Sequence, residues 1–325
     1  LPKALQFWQV IEMRIIEDCA RKIERMEIRG AGRIARFAVE ALKNYALEVR
    51  GDFDRKMREA GIRLLNTRPT AVSLYNAINY VMGYCGENEE EKRESLIKRA
   101  DEFIKWVDTA KERIGEIGSK RLKDGSTILT HCNSSSALSV IKKAFDEGKE
   151  IRVIATESRP RYQGHITARE LAEYGIEVTL IVDSAVRYFM KEVDVVVVGA
   201  DTITVNGALI NKIGTSQIAL SAKEARVPFI VAAETYKFSP KTLLGELVVI
   251  EERESSEVAD RDLLSNPRIH VRNPAFDVTP REYIDLIITE IGAIPPEMSY
   301  IIIRDHLQYK EFGREEISLN SRHYD

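Results

Sequence analysis

The sequence is short of the residues that would commit it to several common chemistries. It holds three cysteines in 325 residues, at positions 19, 85 and 132. They form no close pair and cannot all be bridged, so neither a disulfide framework nor a thiolate metal site is expected, and a reducing compartment is. The histidines at 165, 270, 306 and 323 show no metal-ligand spacing and read as surface or internally satisfied residues. No apolar run approaches the length of a membrane span, and Leu1-Pro2-Lys3 lacks the basic-then-apolar layout of a signal peptide, so a cytoplasmic protein is expected. An excess of one charge is missing too. With 48 Lys and Arg against 51 Asp and Glu, the net charge is −3, which provides no general field for nucleic acid or anionic lipid. Glutamine occurs five times while Lys, Arg, Glu and Ile abound, a balance that leans towards a thermophilic source. Internal repeats and low-complexity tracts are absent.

What is present suffices for two domains, each with its own core. Residues 7–26 place Val10, Ile11, Ile15, Ile16, Cys19, Ile23 and Met26 mostly at three- and four-residue spacings, the stripe of an amphipathic helix in which Cys19 is a packing residue. Arg29-Gly30-Ala31-Gly32 follows and opens a second helical pattern. Its glycines resemble a loose dinucleotide fingerprint, but that turn should follow a strand and here follows a helix, so a nicotinamide or flavin site is rejected. The turn can still offer backbone amides and Arg29 to an anion, or be a plain helix connection. Arg68-Pro69-Thr70 starts another helix, with Arg68 placed for phosphate or for a capping role at the surface. Residues 87–117 read as one long solvated helix.

After Gly118 the pattern changes, and a boundary is placed between Gly118 and Asp124, giving a helical domain over 1–120 and a sheet domain over 121–325. Strands are predicted at 127–131, 151–156, 177–182, 195–199, 229–233 and 247–250, with helices at 137–147, 167–174, 185–191 and 216–225. That cadence means a parallel sheet with helices on both faces. One more helix is predicted over 281–291.

The densest stretch is 194–215. Four consecutive valines, Val195 to Val198, predict a strand buried on both faces, and Asp201 then stands just past its carboxyl end, where open parallel sheets keep their chemistry. Asn206-Gly207 is a two-residue type I′ hairpin signal that folds Asn211-Lys212 back towards Asp201. Gly214-Thr215 opens a helix. A carboxylate, an amide, an ammonium and a helix N-terminus thus converge as a place to hold a phosphorylated polar molecule.

Other strand ends bring further candidates to the same edge. Thr130-His131-Cys132-Asn133-Ser134-Ser135-Ser136 runs from the first strand into its helix. A thiol there can have a lowered pKa and serve as base or nucleophile, although a cysteine at a strand end is more often packing. His131 is set aside as its partner, since adjacent strand residues face opposite ways. Ser134, Ser135 and Ser136 are capping residues that also cradle phosphate oxygens. Arg159 and Gln163, after the second strand, reach a sugar hydroxyl or phosphate, while Arg161 reads as a surface ion pair. Lys237, after the fifth strand, is a point charge suited to phosphate.

Together, Gly199-Ala200-Asp201, Asn206-Gly207, Asn211-Lys212-x-Gly214-Thr215, Cys132-Asn133, Arg159-Pro160, Gln163-Gly164 and Arg29-Gly30-Ala31 resemble the family of sugar-1-phosphate aldose–ketose isomerases. That family also includes the regulatory α, β and δ subunits of translation initiation factor 2B. The resemblance implies an α/β protein, an N-terminal helical domain followed by a Rossmann-like parallel sheet, with no metal or nucleotide cofactor for the chemistry. It implies a homodimer as the building unit, assembling into a hexamer, and leaves activation by a nucleotide such as AMP open. Within the family the likeness is to archaeal members that turn ribose 1,5-bisphosphate into ribulose 1,5-bisphosphate in AMP degradation towards RubisCO. Isomerisation of methylthioribose 1-phosphate, or a non-catalytic regulatory role, are the alternatives. Carried across by motif, Cys132 moves a proton between C2 and C1, and Asp201 protonates the ring oxygen. Arg29, Gly30, Ala31, Gly32, Arg68, Ser134, Ser135, Ser136, Asn211, Lys212 and Lys237 then hold the substrate.

Overall fold

The computed structural model describes residues 13–28, 30–244 and 249–307. Arg29, the start of the first predicted helix and half of the strand expected at 247–250 lie outside them. The described residues divide into two compact units, one up to Asp108 and one from Thr109 to His306.

The first unit is helical, with α1 (Arg14–Glu24), α2 (Ala31–Glu48), α3 (Phe53–Leu65), α4 (Val72–Met82) and the long α5 (Glu89–Ser119). The predicted stripe on α1 is buried, through Ile16, Cys19, Ala20 and Ile23. Burial pushes the Cys19 thiol up to about 12, which suits a packing residue. On α5 the apolar residues Leu96, Ala100, Phe103, Val107, Ala110 and Ile114 are all at most 2% exposed, a seam at three- and four-residue steps that leaves the charges outside. The division between the units falls inside this helix, at Asp108–Thr109, rather than after it. The Arg68-Pro69-Thr70 segment forms a turn, with Ala71 N donating to Arg68 O at 3.0 Å, and α4 starts only at Val72.

The second unit is built on a seven-stranded sheet. In chain order its elements are β1 (Thr127–Thr130), α6 (Ser135–Asp146), β2 (Arg152–Thr156), α7 (Gln163–Glu173), β3 (Glu177–Ile181), α8 (Val186–Phe189), β4 (Val195–Val198), β5 (Thr202–Ile203), β6 (Leu209–Lys212), α9 (Thr215–Ala225) and β7 (Phe229–Ala232). After β7 come α10 (Arg261–Ser265), β8 (Phe276–Thr279), β9 (Leu286–Thr289), β10 (Gly292–Ile294) and α11 (Ser299–His306). The main sheet runs β10-β9-β7-β4-β1-β2-β3, parallel except for the β9–β10 pair. All four valines of β4 are buried. They gain their place from lying between β1 and β7 with side chains covered on both faces, each burial worth roughly 1.5–3 kcal/mol. The helix predicted over 281–291 is instead a short turn followed by β9, paired in parallel with β7. Ile287, Ile288 and Thr289 are β-branched and fully buried. A short apolar run of that kind cannot be told from a buried helix by periodicity, and here the open edge of β7 decided it.

A second, antiparallel sheet of order β5-β6-β8 rises from the carboxyl end of β4. Its hairpin has one more loop residue than predicted. Thr202 pairs with Ile210 and Ile203 with Leu209, Gly207 N donates to Thr204 O, and Thr204 N donates to Ala208 O. Only Gly207, at φ +82, takes the left-handed conformation. This is a type I turn closed by a glycine bulge, not type I′, because Asn206 keeps a negative φ.

Candidate active site

Strand order places the chemistry. From β1 the chain steps to β2 and β3 on one side and then to β4, β7 and β9 on the other. The reversal lies between β1 and β4, and open parallel sheets bind ligands in the crevice at that point. Cys132 follows β1 and Asp201 follows β4, so the two residues expected to share the proton work end adjacent, parallel strands. Lys237 follows β7, on the far side of β4, and Arg159 follows β2, on the far side of β1.

Cys132 sits in a left-handed turn at φ +66, held by three bonds of its surroundings. Its N–H donates to Ser158 Oγ at 2.8 Å, its carbonyl accepts from Thr167 Oγ1 at 2.7 Å, and Asn133 Nδ2 donates to the same Thr167 oxygen at 3.0 Å. The thiol does not have the lowered pKa expected of a helix N-terminus. Burial pushes it up to about 11, and Lys212, the Asn133 amide and Arg253 offset this only in part, while the charge of Asp201 adds to it. The reason is position: α6 starts at Ser135 with Ser134 as its cap, and the dipole acts over the first turn only.

The serines divide. Ser134 Oγ accepts from Ala137 N at 3.3 Å as the cap, Ser135 is exposed at the first helical position, and Ser136 is fully buried with its hydroxyl beside Glu234. Gly199 lies so close to this turn that a Cβ there would stand 2.0 Å from Ser134 Oγ. Glycine at the end of β4 is thus what lets the turns carrying Cys132 and Asp201 approach.

The hairpin carries Asn211 and Lys212 back beside Asp201, as expected, with Asp201 N donating to Ile210 O at 3.1 Å. Both side chains are buried, Asn211 Nδ2 donating to Thr215 Oγ1 and Lys212 Nζ to Ala275 O, each at 3.1 Å. Burial lowers the Lys212 pKa, with Cys132 and Asp201 opposing it and Arg253 adding to it. Phe276 floors the ammonium, its ring centroid 5.2 Å from Nζ.

The start of α9 does not offer itself to an anion. Asp277 of β8, paired with Asn211 in register, accepts from Gly214 N at 2.7 Å and from Ser216 N at 3.1 Å. A carboxylate from the chain therefore takes the donors expected for phosphate. Burial raises the pKa of Asp277 to about 6 in spite of those bonds. Lys237 is likewise engaged: its Nζ lies 2.7 Å from Glu234 Oε2, in a pair whose side chains are 8% and 1% exposed. Burial works against the Glu234 charge, but Lys237 and the nearby Ser136 hydroxyl outweigh it and leave the carboxyl below its ordinary range.

Arg159 is exposed and lies against Tyr162, donating to its hydroxyl at 2.6 Å. Gln163 opens α7, its Oε1 buried without a partner among the described residues. Arg161 forms the ion pair expected of it, with Glu257. In the helical unit, Gly30 caps α2 at φ +90, Ala31 and Gly32 form its first turn with no acidic residue, and Ser73 Oγ of α4 donates to Ala31 O at 3.1 Å. The Arg68 turn immediately precedes α4, so Gly30, Ala31, Gly32 and Arg68 lie at the same end of two packed helices. Two surface concavities of about 510 Å³ also lie in this unit, against α5 and between α1 and α2, and no predicted site residue lines them. Among the described residues, no group of three His, Cys, Asp or Glu is placed to hold a metal ion, and no helix is long and apolar enough to cross a membrane.

Several site residues had no signal in the sequence. Thr167 contacts the Cys132 turn only through the fold, and Asp277 lies in text that reads as irregular. Ser158 and Asp183 were findable, since they follow β2 and β3 at the same sheet edge; the Asp183 carboxylate accepts from Ser158 N at 2.8 Å and Arg159 N at 2.7 Å.

Comparison with known proteins adds to this geometry. The model of the Initiation factor 2 subunit family matches residues 27–296. A ribose 1,5-bisphosphate isomerase of Archaeoglobus fulgidus is 69% identical over 314 residues, 96% of this chain and 100% of its own length. One of Methanocaldococcus jannaschii is 59% identical, over 94% of this chain and 99% of its own. A methylthioribose-1-phosphate isomerase of Acetivibrio thermocellus is more distant, 38% identical over 89% of this chain and 90% of its own. Among solved structures, a translation initiation factor eIF-2B of Pyrococcus horikoshii superposes with a TM-score of 0.75 at 35% identity, covering 86% of this chain and 97% of that one.

Proposed function

This chain belongs to the Initiation factor 2 subunit family, and from that premise we propose that it is an aldose–ketose isomerase converting ribose 1,5-bisphosphate into ribulose 1,5-bisphosphate. The observation that carries the reading is the pairing of Cys132 and Asp201 at the carboxyl ends of adjacent strands, in a chain that matches named isomerases of this substrate over nearly its whole length. A non-catalytic relative would need neither group.

A sugar phosphorylated at C1 cannot open its ring unaided, because the anomeric oxygen is blocked. Asp201 gives its proton to the ring oxygen as the bond from that oxygen to C1 breaks, and Cys132 takes the proton from C2, leaving an enol between C1 and C2. The same proton returns from sulfur to C1, and the C2 hydroxyl proton goes to the Asp201 carboxylate as the ketone forms, restoring both groups. Such a pair works best with one negative charge between them, and the charge of Asp201 opposes a second one on Cys132.

Asn211, Lys212, the serines 134–136, Gln163, Arg159 and Lys237 are assigned to the sugar and its phosphates. Support comes from Gln163 Oε1, buried without a partner among the described residues. Buried polar atoms normally have one, and a substrate hydroxyl supplies it. The working unit is proposed to be a cytoplasmic homodimer, further assembled to a hexamer. Steady-state assays with each sugar phosphate test the reading. Ribose 1,5-bisphosphate should be turned over, and Cys132→Ser and Asp201→Asn should each lower kcat at least about a hundredfold with the fold retained. Turnover of methylthioribose 1-phosphate alone would overturn the substrate, and full activity of either variant its assigned role.

A further inference from the structure

His131 lies between β1 and Cys132 and is 1% exposed. Both ring nitrogens are engaged. Nδ1 is 2.5 Å from Thr156 Oγ1 and 3.2 Å from Ser158 Oγ, and Nε2 is 2.9 Å from the carbonyl oxygen of Ile213. A carbonyl only accepts, so Nε2 carries the proton and Nδ1 is left to accept from the hydroxyls. Burial holds the imidazole below its ordinary pKa, so this neutral tautomer persists.

Each end of the ring leads to one half of the site. On the Nδ1 side, Ser158 Oγ also accepts from Cys132 N, and that bond holds a non-glycine residue at φ +66, a conformation few side-chain-bearing residues adopt. Asp183 anchors Ser158 from behind. On the Nε2 side, Ile213 sits directly after Lys212, in a turn where Thr215 Oγ1 donates to Lys212 O at 2.6 Å and accepts from Asn211 Nδ2. The two turns come from segments 82 residues apart, and one rigid ring spans them.

We infer that His131 is a positioning residue, holding the Cys132 turn and the Asn211–Lys212 turn at a fixed separation across the switch point of the sheet. It acts through these neighbours and does not itself meet the substrate. The inference rests on the isomerase reading above, and it assigns the two nitrogens separate duties: Nδ1 sets the presentation of the thiol, and Nε2 sets the placement of Lys212 and Asn211.

Two amides separate those duties, since an asparagine side chain reaches about as far as Nδ1 and a glutamine about as far as Nε2. His131→Asn keeps an acceptor for Thr156 and Ser158 but loses Ile213. It should raise KM for ribose 1,5-bisphosphate about tenfold with kcat within about twofold, the scale of one hydrogen bond. His131→Gln keeps the donor to Ile213 but loses the hydroxyls, and should lower kcat about tenfold with KM little changed. Alkylation of Cys132 by iodoacetamide, followed by mass spectrometry on the folded enzyme, should change at least about threefold in His131→Gln and by less than that in His131→Asn. Ser158→Ala, which leaves the ring in place, should behave as His131→Gln does. A histidine that merely fills the core would lower the melting temperature of both variants and leave the kcat and KM split and the alkylation rates unmoved, and that result overturns the inference. If wild-type enzyme does not turn over the bisphosphate, the isomerase reading fails, while the alkylation rates still decide whether His131 controls the thiol.

Discussion

Replacing Gly199 with alanine probes the close approach of the turns that carry Cys132 and Asp201. The added Cβ would stand 2.0 Å from Ser134 Oγ and 2.4 Å from Ser134 Cβ, where carbon contacts normally begin near about 3.5 Å. Rotating Ser134 can remove its hydroxyl from the clash but not its Cβ, so the cap is lost and the backbone must also shift. Loss of a serine cap costs about 0.5–2 kcal/mol, and forcing a methyl into a filled space about 1–3 kcal/mol. At about 2–4 °C per kcal/mol for a chain of this class, the melting temperature should fall by roughly 3–20 °C. Because Cys132 and the three serines ride on the displaced turn, KM for the bisphosphate should rise in the folded fraction. Gly125→Ala is the control: Gly125 has φ +75 and nothing within 4 Å of a new Cβ. It should cost only the left-handed backbone, about 1–2 kcal/mol, with KM unchanged. Calorimetry and steady-state kinetics on both variants decide the matter. A Gly199→Ala protein that melts with wild type, or a more damaged Gly125→Ala protein, would refute the packing argument.

Three further outcomes are expected. With the Cys132 thiol pushed up to about 11, its alkylation rate should climb about tenfold per pH unit from pH 7 to pH 10; a plateau near pH 8.5 would mean that burial does not govern it. Lys237→Met should destabilise the fold by about 3–5 kcal/mol by stranding the buried Glu234 carboxylate, and adding Glu234→Gln should recover most of that without restoring affinity for the bisphosphate. Recovery of affinity along with stability would make Lys237 a structural residue only. Asp277, with a folded pKa of about 6 against about 3.9 unfolded, adds stability in full below about pH 4 and loses it as pH rises through 6. Asp277→Asn should therefore gain about 1–2 kcal/mol relative to wild type between pH 4 and pH 7, allowing for partial exposure, as read from urea unfolding. A difference independent of pH would rule this out.

Legibility differed from element to element. Val195 to Val198, the strand ends at Cys132, Asp201 and Lys237, and the return of Asn211-Lys212 beside Asp201 could all be read in advance, because each rests on a local pattern of two to fifteen residues and on the rule that parallel strands end at one edge. The 281–291 segment was misread as helix because a short buried apolar run has no periodicity to betray its state, and the free edge of β7 supplied the answer. The hairpin loop was misjudged by one residue, since the sign of φ at Asn206 depends on strand register and not on the Asn-Gly pair alone.

By itself, then, the order of residues determined that this chain makes a helical unit and a parallel sheet, and which side chains stand where sheet chemistry is done. Only the folded chain decided how those side chains are charged and what they hold. Asp277 reaches the start of α9 from 61 residues away, Ser158 reaches Cys132 across two strands, and burial turns the thiol in the opposite direction to the one its neighbours in sequence suggest. Pattern along a chain records which faces are apolar, whereas desolvation and hydrogen-bond supply come from residues distant in sequence, and those set the chemistry of the site.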